Sequence, residues 1–115
     1  MDIRQLTRGG EFLVSDIQCD EIFTPEDFSD DQLMMKSAVK EFNEREIISK
    51  RDRFESKDFK LTEDVMRKAG KMGFLSISVP EEYGGLGMGL VSSMLVCEYI
   101  SSGNGSFSTA FGAHT

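Results

Sequence analysis

Seventeen residues, Gly73 to Gly89 (GFLSISVPEEYGGLGMG), constrain this chain more than any other stretch. An apolar run leads to Pro80, two acids follow, and four glycines then crowd into positions 84, 85, 87 and 89. Pro80 has a fixed φ and disfavours helical angles at Val79, so a helix arriving from the N-terminal side has to end at or before Gly73. The glycines admit positive φ or a close approach by backbone or ligand, at an entropic cost. The stretch therefore reads as a built break between a helix leading in and a helix leading out.

The incoming half carries two helical patterns. Ser29 with Gln32 forms a capping box, and Leu33, Met34, Ala38, Val39, Phe42 and Ile47 recur near a 3.6 period. These predict one amphipathic helix from about Asp30 to about Phe54. Glu55–Leu61 reads as a charged loop. Thr62 then caps a second helix, with Glu63 and Asp64 in its first turn, an inner stripe of Val65, Met66, Ala69 and Met72, and Gly73 as C′ residue. Phe74–Val79 is predicted to be extended, with or without a partner strand.

Beyond the loop, LVSSMLVCEYISS (Leu90 to Ser102) is apolar almost all round, which predicts a helix buried on most sides. Asn104 or Ser106 can cap a last helix, whose pattern is still running at Thr115, as though the natural chain continues. Before all of this, residues 1–22 read as an extended arm, interrupted at Gly9-Gly10 and carrying Phe12-Leu13-Val14 for packing on a neighbouring surface.

Composition removes several function classes. Twenty acids against thirteen bases leave a net charge of −7, most acidic before Asp31, which argues against nucleic acid as a partner. No apolar run approaches the ~20 residues of a membrane span, and the N-terminus resembles neither a secretory signal nor a transit peptide. Cys19 and Cys97, 78 positions apart, read as free thiols of a reducing compartment, so a cytoplasmic location is expected. His114 is the single histidine, which excludes the usual metal constellations and leaves a Ser-His-Asp triad only a terminal residue to build on.

Two features suggest chemistry. The glycine loop has the spacing G-G-x-G-x-G rather than G-x-G-x-x-G and lacks a following strand, so tight connection is favoured over phosphate cradling. Glu98 stands on an apolar helix, where a carboxylate is desolvated, paired or at a rim; only the first would make a general base.

Taken together, FTPEDFSDDQLMMKSAVKEF, KAGKMGFLSISVPEEYGGLGMG, LVCEYIS and FGAHT, in this order, resemble the N-terminal helical domain of the acyl-CoA dehydrogenases, with VPEEYGGLG the most specific block. The likeness covers about Phe23 to Thr115, and the preceding arm resembles that of longer, very-long-chain-like members. It implies an all-α fold: a bundle of about four helices at 23–115, incomplete at its C-terminal end, behind an extended arm at 1–22. It also implies a parent flavoenzyme that oxidises fatty acyl-CoA to trans-2-enoyl-CoA. FAD would be the cofactor, electron-transfer flavoprotein the partner, and a dimer or tetramer the assembly. In the family the catalytic glutamate and most flavin contacts lie in later domains, so no catalytic residue and no bound FAD are expected here. The matching residues Met94, Leu95, Glu98, Tyr99, Phe107 and Phe111 are then candidates for the acyl-pocket wall, which makes Glu98 a wall residue rather than a base. The rival expectations are a helical protein-interaction domain without catalysis, and an acyl-CoA oxidase or flavin monooxygenase relative.

Overall fold

A computed structural model describes residues 6–115; the first five residues of the expected arm lie outside it. The chain divides at Asp31 into two compact units. The N-terminal unit is built from single 3-10 turns at Glu11–Leu13, Cys19–Glu21 and Pro25–Asp27. It is held by local and longer-range bonds: Asp27 Oδ2 accepts from the Thr24 amide at 2.8 Å, and the Thr7 amide donates to the Glu21 carbonyl at 2.8 Å.

The second unit is helical, and no strand occurs among the described residues. Helices α1 (Asp30–Phe42), α2 (Arg51–Glu55), α3 (Phe59–Lys71), α4 (Leu90–Gly103) and α5 (Gly105–His114) carry the chain. Four of them have ten residues or more, as the sequence implies. They close on one core that includes Val39, Phe42, Phe54, Val65, Phe74 and Ile100. Phe42 and Phe74 meet edge to face at 5.3 Å, and Phe54 and Phe107 at the same centroid distance, geometries that add to plain area burial.

The structure corrects four local expectations. The single helix over Asp30–Phe54 is instead α1, a π-helical turn at Asn43–Ile47, a 3-10 turn at Ile48–Lys50 and then α2. The wide π turn places both Asn43 and Ile47 inward, where they meet Gly103 of α4 at a distance that leaves no room for a Cβ. Two residues of the expected stripe, Leu33 and Met34, are exposed, while Val39 and Phe42 are buried.

Helix α3 starts three residues before Thr62. Asp58 is its cap, accepting from the Leu61 amide at 3.0 Å, and Lys57 before it takes the left-handed conformation, φ 63°. A charged turn that looks aperiodic in sequence thus contains the better cap. The α3 C-terminus matches its expectation: Gly73 has φ 83°, its amide donates to Gly70 O, and the Phe74 amide reaches back to Ala69 O, the paired bonds of a Schellman ending.

Phe74–Val79 forms turns and bends rather than extended chain. Phe74 and Ile77 are drawn into the core, and the backbone of 76–80 is bonded by the glycine loop folding back on it. Finally, α4 is not buried on most sides. Ser92, Leu95, Val96, Ile100 and Gly103 face inward, whereas Leu90 and Met94 are 75% and 60% exposed.

Candidate functional site

Helix α4 is pinned at both ends. At its start the glycine loop anchors to the chain before it: the amides of Gly85, Leu86, Gly87 and Met88 donate to the carbonyls of Pro80, Ser76, Val79 and Ile77. Gly85 lies so close to this backbone that a Cβ would stand 2.0 Å from Val79 O. Here glycine is required for close approach by the chain's own backbone. A phosphate cradle needs amides free to point at a ligand, and these four are used within the loop.

At its far end α4 is clamped by Arg51, whose Nε and Nη2 donate to Gly103 O at 3.0 and 2.9 Å. A forked cation on a C-terminal carbonyl satisfies an orphan acceptor and complements the helix dipole. Asn104 then turns the chain into α5, its Oδ1 accepting from the Phe107 amide at 2.8 Å and its Nδ2 donating to Glu55 at 2.6 Å. The orientation of α4 about its own axis is set by these two ends together.

That orientation sorts the six candidate wall residues. Leu95, Phe107 and Phe111 are buried, and the rings of Phe107 and Phe111 sit 6.4 Å apart within the domain's own aromatic packing. Tyr99 is half-buried against the core. Met94 and Glu98 are exposed, one turn apart on one face. The six therefore do not converge on one cavity. Leu90 and Val91 join Met94 on the exposed side of α4, and sequence reasoning left them out. The available signal was their spacing: Leu90, Met94 and Glu98 follow an i, i+4, i+8 row.

The larger grooves of the helical unit lie elsewhere. One of about 440 Å³ is lined by Phe42 and Met72 together with Arg45, Glu46, Lys68 and Lys71. Glu46 accepts from Lys50 at 2.6 Å and from Lys68 at 2.7 Å, and these two donors hold its carboxyl below the usual carboxylate range. A second groove, about 520 Å³, includes Phe59, Met66, Leu75 and His114. Cys19 and Cys97 are both free, and no cluster of three metal-ligating side chains occurs among the described residues. No helix among them is long and apolar enough to cross a membrane.

Comparison with known proteins gives this geometry a family. Residues 29–115 match the N-terminal domain of acyl-CoA dehydrogenases. A probable acyl-CoA dehydrogenase of Bacillus subtilis is 40% identical over 107 residues, 93% of this chain and 18% of that protein. A mitochondrial isovaleryl-CoA dehydrogenase of Solanum tuberosum is 34% identical over 90 residues, 76% of this chain and 22% of the relative. The crystal structure of an acyl-CoA dehydrogenase complexed with FAD from Bacillus anthracis superposes with a TM-score of 0.82 at 38% identity, over 93% of this chain and 18% of that one. The chain thus spans about a fifth of the length of these relatives. With a family match over its whole helical unit, the chain belongs to the acyl-CoA dehydrogenase family, as its N-terminal domain.

Proposed function

We propose that this chain is the N-terminal part of an FAD-dependent enzyme that oxidises fatty acyl-CoA to trans-2-enoyl-CoA, and that its α4 forms one wall of the acyl pocket. The observation that carries the reading is the exposed face of Leu90, Val91 and Met94, on a helix held at both ends, in a domain of this family. An apolar wall with few polar groups is what an acyl chain requires. Met94 contributes an adaptable side chain, Glu98 lies at the polar end of the row, and Leu95, Tyr99, Phe107 and Phe111 support the wall from behind. FAD, when bound by the whole protein, supplies the oxidant; the residues described here contribute shape and water exclusion and are inactive alone.

The same reading takes electron-transfer flavoprotein as the acceptor and a homo-oligomer as the assembly. Two free thiols suit a reducing compartment, which favours the cytoplasm. The test is anaerobic titration of the full-length gene product with acyl-CoAs of graded chain length. Bleaching of a flavin absorption band by one length class is the expected result. A protein that takes up FAD but is not reduced by any acyl-CoA would overturn the dehydrogenase reading.

A further inference from the structure

The charge of this chain is segregated. Nine of its twenty acids and two of its thirteen bases precede Gln32, so the N-terminal unit carries the whole net charge of −7 and the helical unit is neutral. At the crest of the first 3-10 turn of this acidic unit, Phe12, Leu13 and Val14 are 47%, 75% and 88% exposed. The turn is ordered around them: Leu13 and Val14 donate their amides to Gly10 and Glu11 at 2.9 and 3.0 Å. Three adjacent apolar side chains held out on a bonded turn are an anchor without a visible socket.

The relatives indicate what supplies the socket. No more than 84 of the 107 residues aligned with the Bacillus subtilis protein can follow Asp31, so at least 23 belong to the acidic unit. Those 107 residues are 18% of that protein, which is therefore about 590 residues long. The Solanum tuberosum relative aligns over 90 residues, close to the size of the family domain alone, and is about 410 residues long. The Bacillus anthracis structure matches the long pattern, with 93% of this chain amounting to 18% of its own. An alignment that runs at least 23 residues into the acidic unit thus accompanies roughly 180 extra residues.

From this coincidence and the exposed turn we infer that Phe12, Leu13 and Val14 dock into the additional segment that the long relatives carry and the short one lacks, in the full-length protein of which this chain is part. The surface they enter is apolar with a basic rim, complementary to the flanking Glu11, Asp16, Asp20 and Glu21. An anionic membrane is the poorer fit, since a unit of charge −7 is repelled by it. The inference rests on family membership and length, and it holds whichever acyl-CoA the enzyme takes.

The experiment places a photo-reactive p-benzoylphenylalanine at position 13 of the full-length protein and identifies the captured peptide by mass spectrometry. The expected peptide comes from a stretch of the same polypeptide that has no counterpart in the short relative. Capture of the shared family core, of a second subunit or of added anionic vesicles, or no capture, overturns the inference. As a second measurement, Leu13→Asp with Val14→Asp should raise amide exchange in the additional segment roughly tenfold or more while flavin absorbance is retained. Unchanged exchange there would count equally against it.

Discussion

Replacing Gly103 by alanine isolates the contact on which the two halves of the helical unit depend. Gly103 closes α4 against the π turn, where an added Cβ would stand 2.0 Å from Asn43 Oδ1 and 2.8 Å from Ile47 Cγ2. Both neighbours are themselves buried, at 3% and 0% exposure, and Asn43 is tied to Ser102 by its Nδ2, so neither can simply swing away. Two effects of opposite sign compete. Alanine is favoured over glycine in a helix by up to about 1 kcal/mol, whereas forcing a methyl into a filled interface costs about 1–3 kcal/mol, occasionally more. The clash should win, because separating α4 from the π turn would also strain the Arg51 bonds to Gly103 O. The expected net loss is about 1–2 kcal/mol, or roughly 3–8 °C in Tm for a chain of this size. Gly112→Ala is the control: it makes the same chemical change in α5 where nothing lies within 4 Å, and should be neutral or stabilising. Guanidinium unfolding of the two variants, followed by far-ultraviolet circular dichroism, reads the difference. If Gly103→Ala were as stable as Gly112→Ala, the close packing of the π turn on α4 would be refuted.

Further outcomes follow from the same geometry. Gly85→Ala sets a Cβ 2.0 Å from Val79 O, a backbone atom that cannot yield, so the loop should open and stability fall by about 2–4 kcal/mol; an unchanged unfolding midpoint would contradict the loop pairing. The Glu46 carboxyl, held below its ordinary 4.5 first by hydrogen bonding from Lys50 and then from Lys68, contributes stability that is complete above pH 4.5 and is lost as pH falls toward its depressed folded value. Glu46→Gln should therefore flatten the acid limb of the stability profile below pH 4.5, and an unaltered limb would disprove that coupling. The 115-residue chain alone should self-associate and bind an apolar-surface dye through α4, and Leu90→Lys with Met94→Glu should reduce both without loss of helicity, since neither side chain is in the core. Light scattering that finds a monomer before any substitution would remove the exposed face as the cause.

The order of elements in this chain is carried by local chemistry. Gly73 takes the positive φ that ends α3, and Asn104 caps α5, both of which are legible because each depends on one residue and its near neighbours. The family blocks around VPEEYGGLG are legible for the same reason, being contiguous. The π turn is not, since Asn43 and Ile47 leave the α register only to meet Gly103, sixty residues away from Asn43 in sequence. The exposed face of α4 is also a tertiary result: the Leu90, Met94 and Glu98 row marks a face, but on a helix apolar almost all round it does not say which side is covered, and Ser92 lies inside while Leu90 and Met94 lie outside because the glycine loop and Arg51 fix its rotation. Sequence by itself therefore determined that four long helices exist and the family they belong to; only the packing of distant residues decided where the first of them breaks and which side chains each helix leaves for a ligand or partner to cover.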